Sequence, residues 1–322
     1  MSLTELFLEG TTVFVLRSAS TELPPTDSHP HQMNSSDIKK ALATASEAAR
    51  AAGALMRKNL NLPKKINSQV QHDIKLDLDV RCQKLIELAL LLNFPQVAVL
   101  GEEGVQGDQS ADARWVVDPI DGTVNFTYGV PHACVSIALQ IRRARSATPA
   151  RKRGDSGVLD DDSDYETLVG VVYDPFSDEL WTAIRGQPAR LNGRIIRISN
   201  RNRLDESLIS LGFAKSPETM AQTLPAFNQL IHRARKIRIM GAAALAMTYV
   251  ASGRFDAYVE AGVRVWDIAA GGLILECAGG EFWHRQLPGE HVYAVNANNG
   301  RLRRKIEAAS RPPRKLPGKQ RT

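Results

Sequence analysis

WVVDPIDGT, residues 115–123, is the stretch on which the reading of this chain turns. Trp115 to Val117 give the end of a buried strand, and Asp118 sits where that strand stops. Asp121 follows three residues later across Pro119, whose ring fixes the backbone so that both carboxylates and the Ile120 carbonyl can converge on one point. Gly122 lets a ligand approach the main chain closely, and Thr123 places a hydroxyl beside it. The bland alternative is an Asx-rich turn that caps a helix. The nine residues alone leave both readings open.

Working outward, the same arrangement recurs. VAVL (97–100) runs directly into Gly101-Glu102-Glu103-Gly104, so a second pair of acids leaves the end of an apolar strand. Asp267 opens an apolar helix in VRVWDIAAGGLILECAGG (263–280), and Asp79 stands in DIKLDLD (73–79) at the start of another. Each of these two could be no more than a first-turn partner of its helix dipole. Acids gathered from four element ends would repel one another unless a cation lay among them. Hard oxygen donors without clustered His or Cys point to magnesium, not zinc. Magnesium also keeps waters and substrate phosphate oxygens in its shell, which suits hydrolysis of a phosphate ester.

Around these motifs, strands and helices are mixed. Helices are expected after Met33, capped by Ser35 or Ser36 with Ile38, Leu42, Ala45, Ala49, Ala52 and Met56 on one stripe, and from Asp77 to Asn93, with Val80, Leu85, Leu88 and Leu92 as the apolar set. Others are expected at 217–235, 242–252 and 266–277. Strands fall at 97–100, 114–117, 134–139, 167–173, 179–184 after the turn DPFSD, 208–212, 255–260 and 291–296. Such mixing makes a layered α/β or α+β domain. Residues 33–310 are expected to form it. Residues 1–32 read as a poorly ordered extension, 142–166 as an exposed charged insertion within a hairpin, and 311–322 as a basic disordered tail.

Composition limits the function classes. Of 322 residues, 43% are hydrophobic and 24% charged, as in ordinary globular proteins. No apolar run approaches the roughly 20 residues of a membrane span, and no basic leader precedes an apolar core, so a cytoplasmic protein without a membrane partner is expected. Cys82, Cys134 and Cys277 are widely spaced and read as free thiols. The net charge of +6 is misleading: residues 301–322 hold nine Lys/Arg against Glu307, a net of +8, leaving about −2 for the rest. A nucleic-acid partner is therefore not expected of the globular body.

GEEG, DPIDGTVNF and WDIAAGGLILECAGG, in this order and at these separations, resemble the signatures of inositol monophosphatases and their lithium-sensitive relatives. The resemblance covers about Asp37 to Ala309. It implies an α-β-α-β-α sandwich, a homodimer, and hydrolysis of myo-inositol 1-phosphate or another small phosphate monoester. Two or three Mg²⁺ ions would serve, without a covalent intermediate. By motif position, Glu102, Asp118 and the Ile120 carbonyl would hold one ion, and Asp118, Asp121 and Asp267 a second, with Glu102 touching a weaker third. Thr123, hydrogen-bonded to Asp79, would help Glu102 activate water, and Glu103 would support the ligands from behind. The amides of Gly122 and Thr123 would face the phosphate. Gly241, Ala242, Ala243 and Glu260 would meet the sugar.

The chain departs from the family pattern in three places. Ala242 stands where a hydroxyl residue is common, Leu76 where Thr is usual, and Lys75 is an uncommon cation near the acids. The metal site does not read the leaving group, so fructose 1,6-bisphosphate is the alternative substrate. An interaction role, as some bacterial relatives have with the transcription machinery, is the alternative from another class, carried by the basic tail.

Overall fold

The structure, a computed structural model, describes residues 2–8, 11–17, 33–70, 73–143, 162–213 and 217–310. Its layering follows from the strands Ala113–Asp121 and Cys134–Arg142, whose alternate side chains point to opposite faces. Trp115, Val117, Val135, Ile137 and Leu139 are buried on one face, and Val116, Cys134 and Ala138 on the other. A sheet apolar on both sides needs a layer on each.

That sheet has eight strands in the order Arg194–Ile195, Arg190–Leu191, Glu179–Ile184, Tyr165–Asp174, Cys134–Arg142, Ala113–Asp121, Ala98–Gly101 and Gly104–Gln106. Helices Ser35–Asn59 and Asp77–Asn93 cover its first face. The first is alanine-rich and buries Ala41, Ala45, Ala48, Ala49, Ala52 and Met56 without any side-chain ordering cost for alanine. The second face meets Ala243–Ala251 and Val265–Cys277, two helices apolar nearly all round, as a middle layer must be. Beyond them lies a five-stranded sheet ordered Lys236–Arg238, Leu208–Leu211, Ala257–Arg264, Val292–Asn298 and Glu281–Gln286. Pro217–Leu230 and Arg303–Ser310 close its far side, with Leu230, Leu302, Ile306 and Ala309 packed on Ile209, Leu211 and Ala257. The result is the expected α-β-α-β-α sandwich.

Several local expectations need correction. The first helix is capped by Asn34, not Ser35 or Ser36: the Asn34 side chain accepts from the Ser36 and Asp37 amides, and Asp37 returns the contact. The Asp77–Asn93 helix buries Leu78, Asp79, Cys82, Gln83, Ile86 and Leu90, while Leu92 is exposed. Its inward face includes two polar residues, so counting leucines selects the wrong side. Strand Glu281–Gln286 and helix Arg303–Ser310 were not anticipated, although both fall within the expected domain. The helix expected at 217–235 stops at Leu230, with turns before Lys236.

Within the insertion, Asp162 and Tyr165 are buried, not exposed. Asp162 accepts from Arg114 (2.6 Å), His291 (2.9 Å) and Tyr293 (2.7 Å), all themselves buried, which ties that end of the insertion across both sheets. Ser2–Leu8 and Thr11–Arg17 pair as an antiparallel hairpin in the extension expected to lack order. The remainder of the insertion at 144–161, the stretch 18–32, the tail at 311–322 and the Lys75 side chain lie outside the described residues. Cys82, Cys134 and Cys277 are free thiols, and no described helix is long and apolar enough to cross a membrane.

Candidate metal centre

Ala98–Gly101 and Ala113–Asp121 are parallel neighbours, with Gly101 opposite Val117. The Glu102 amide donates to the Val117 carbonyl (3.1 Å), so Glu102 and Asp118 leave the carboxyl ends of adjacent parallel strands side by side. That end of an α/β sheet is where ligands bind. Asp118 and Asp121 are not separated by a turn as expected. They lie in one strand, and its register against Cys134–Arg142 shifts between them. Pro119 falls within that irregularity, where a missing N–H disrupts no regular ladder. One Asp118 oxygen accepts from the Ile120 amide (3.0 Å), which holds the bulge.

Gly122 ends the strand with φ of 93°, and a Cβ there would come 2.9 Å from the His132 carbonyl. Only glycine satisfies both conditions. Thr123 then begins a short helix, and its hydroxyl donates to the Ile120 carbonyl at 2.9 Å. That carbonyl lies three residues before Thr123, so the hydroxyl points back toward the strand end. Asp79 is buried at the third position of its helix, accepting from the Leu76 amide at 2.8 Å. Asp267 holds the same position in its own helix and accepts from the Arg264 amide at 2.7 Å. Both aspartates thus fill the bland first-turn role. Asp267 also faces the other acids.

A cleft of about 420 Å³ lies between the two sheets' ends. Its walls bring together Glu102, Asp118, Ile120, Asp121 and Asp267, and with them Gly122, Thr123, Gly241, Ala242, Ala243 and Glu260. Asp79 and Glu103 do not line it. Residues the sequence did not single out complete the walls, chiefly Asn125, Phe213, Ile239 and Met240. The Ala243 amide, expected at the sugar, donates instead to Asp121 (3.0 Å), beside the Ala244 amide (2.7 Å). A helix N-terminus must place its first amides somewhere, and a carboxylate is the strongest acceptor at hand.

The acids burden one another. Burial pushes Asp118 well above the usual carboxylate range, and the charges of Glu102, Asp121 and Asp267 push it further. Burial raises Asp267 to about 8, with Asp121 adding to the rise. Asp121 rises only to about 6, because the amides of Ala244 and Ala243 and the Cys134 thiol (3.5 Å) oppose the effect of burial. Glu260 reaches about 7 through burial, partly offset by the Tyr258 hydroxyl that donates to it. Asp118, Asp121 and Asp267 cannot all ionise unaided, and their oxygen donors with that of Glu102 fit a hard divalent cation. Among the described residues no three acidic, His or Cys side chains are placed so that they could hold a metal ion together. The fit rests on donor chemistry and mutual repulsion.

Other missed residues support this floor from beneath. Gln83, buried in the Asp79 helix, accepts from the Glu103 amide (2.8 Å) and donates to the Gly104 carbonyl (3.0 Å), gripping the GEEG turn. Its signal was weak: a polar residue one helical turn after Asp79.

Comparison with known proteins follows the same lines. The sequence model of the inositol monophosphatase family matches residues 37–146 and 157–311. A Xylella fastidiosa protein named Nus factor SuhB is 37% identical over 246 residues, covering 75% of this chain and 81% of that one. Inositol monophosphatase 1 of Solanum lycopersicum is 34% identical over 250 residues, covering 76% and 84%. The structure of an inositol monophosphatase from Anabaena superposes with a TM-score of 0.69 at 31% identity, covering 85% of this chain and 96% of that one.

Proposed function

This chain belongs to the inositol monophosphatase family, and from that premise we propose that it is a Mg²⁺-dependent phosphatase that hydrolyses myo-inositol 1-phosphate. The observation that carries the reading is the group of Glu102, Asp118, Asp121 and Asp267 on one cleft, with Asp118, Asp121 and Asp267 all raised in pKa by burial. Glu102, Asp118 and the Ile120 carbonyl would hold one ion, and Asp118, Asp121 and Asp267 a second. When bound, two or three Mg²⁺ ions would neutralise phosphate charge, lower the pKa of the attacking water and stabilise the leaving alkoxide.

The chain's own groups do the rest. Gly122 and Thr123 present main-chain amides at the floor, where an anionic phosphate would rest. Glu102 and Thr123 would orient the water and take its proton, with Thr123 held in place through the Ile120 carbonyl, and Asp79 would act on them from behind the cleft wall. Glu103 supports the ligands from outside the cleft. Glu260, on the opposite wall, can accept hydrogen bonds from substrate hydroxyls when ionised. Gly241 and Ala242 form the wall beside it.

The test is a panel of phosphate monoesters with purified protein. Hydrolysis of inositol 1-phosphate should require Mg²⁺, stop in excess chelator and be inhibited by Li⁺. Full activity in chelator overturns the metal assignment, and preference for fructose 1,6-bisphosphate overturns the substrate. The SuhB relatives' name favours one second reading, a role with transcription partners, to which the basic residues 301–322 would contribute.

A further inference from the structure

The geometry points to Asn125 as a positioning residue that clamps the substrate wall of the cleft to its carboxylate floor. Asn125 lies in the short helix Thr123–Thr127, three residues beyond Gly122, the turn that follows Asp121. Its side-chain nitrogen donates to the His132 carbonyl (2.9 Å) and the Met240 carbonyl (2.8 Å), with the Gly241 carbonyl at 3.4 Å. Main-chain carbonyls only accept, so these partners fix which end of the amide faces them. Both hydrogens of the nitrogen have a partner within normal range, and none remains for a substrate.

The three acceptors belong to two separate segments. His132 lies on the loop that returns the chain to strand Cys134–Arg142, and the Val130 amide donates to the Asn125 carbonyl (2.9 Å) to close that loop. Met240 and Gly241 precede the helix Ala243–Ala251 and form part of the cleft wall. Gly241 has φ of 74°, and a Cβ there would sit 3.3 Å from the Asn125 nitrogen, so the amide lies directly beneath that turn. Asp121 grips the same segment three residues later, through the Ala243 and Ala244 amides. Residues 240–244 are thus held at both ends by side chains from the carboxylate floor, one acidic and one neutral. Asp121 is committed to the ion centre as well. Asn125 has no such duty, and its contacts set where the wall stands relative to the phosphate.

The kinetic part of this inference rests on the phosphatase reading, and the structural part does not. Asn125→Ala removes both donors, and Asn125→Asp turns them into an acceptor that repels two carbonyls. Amide hydrogen exchange at 239–244 should accelerate in both variants. With Mg²⁺, KM for myo-inositol 1-phosphate should rise about tenfold or more, which corresponds to about 1.4 kcal/mol of lost binding. Turnover of p-nitrophenyl phosphate, which does not use the sugar wall, should stay within about threefold of the parent. Should the Asp variant fail to fold, the Ala variant carries the test. Unchanged exchange at 239–244 overturns the clamp, and so does an equal loss of kcat on both substrates with KM unchanged. A parent protein inactive on both phosphates would overturn the phosphatase reading alone, since exchange still tests the clamp.

Discussion

Glu260→Gln should stabilise the protein at alkaline pH while weakening its recognition of inositol phosphates. Glu260 stands on strand Ala257–Arg264 with its carboxyl against Tyr258 and directly over Gly212, where even a Cβ would overlap it. Burial raises its pKa from 4.5 to about 7. Between those values the folded protein holds a proton that the unfolded chain has released. The stability contributed is full below about 4.5 and is lost as pH rises through about 7. A fully shielded group would cost about 3 kcal/mol once ionised, and the part of Glu260 open to the cleft lowers that to between about 1 and about 3 kcal/mol. Glutamine stays neutral at every pH and can still accept from Tyr258. The difference in unfolding free energy between variant and parent should therefore shift by that amount in the variant's favour from pH 5 to pH 8, measured by urea unfolding in chelator. The other acids are common to both proteins and largely cancel in the difference. A difference independent of pH, or one that favours the parent as pH rises, would refute the burial argument. On the kinetic side, the variant should lose discrimination among sugar phosphates and keep its rate on an aryl phosphate.

Two further outcomes follow from the same geometry. Asp118→Asn removes charge from the carboxylate proposed to touch two ions, so Mg²⁺ affinity measured by titration calorimetry should collapse; Asp79→Asn, which does not line the cleft, should keep Mg²⁺ binding while turnover falls by roughly 10²–10⁴-fold. Equal loss of Mg²⁺ binding in both would make Asp79 a ligand. Asp162→Asn should destabilise the fold by about 3–5 kcal/mol in urea unfolding, because Arg114 would keep a buried charge without its counterion; a loss below about 1 kcal/mol would show that the cluster adds nothing.

Much of the layering was legible because it depends on patterns that survive without coordinates. Two-sided apolar strands and the almost wholly apolar helix at Val265–Cys277 can only be central layers. The helix Asp77–Asn93 was placed correctly from end to end, yet its face was not. Val80, Leu85, Leu88 and Leu92 make a plausible stripe, but Asp79 and Gln83 are drawn inward by what they bind, and the buried stripe rotates with them. Helix Arg303–Ser310 was hidden by its charge. Leu302, Ile306 and Ala309 sit at helical spacing among Arg303, Arg304 and Lys305, and net charge says nothing of which face is dry.

The candidate site divides along a similar line. Glu102, Asp118, Asp121 and Asp267 could be found because charge leaves a trace: an acid at the end of an apolar strand or helix must be offset by something, and four of them narrow what that something can be. Gln83 and Asn125 leave no such trace. Their partners are the Glu103 amide and the Gly104, His132 and Met240 carbonyls, main-chain groups that every residue carries alike. No spacing in a sequence can pair a side chain with an atom that has no residue identity. Asp162 shows the converse limit: its charge was visible, but within an acidic run, and burial against Arg114, His291 and Tyr293 is set by the meeting of two sheets far apart in the chain. What a sequence discloses of such a centre is its charged groups. What holds them at working distance is neutral, bonded to the backbone, and visible once the chain has folded.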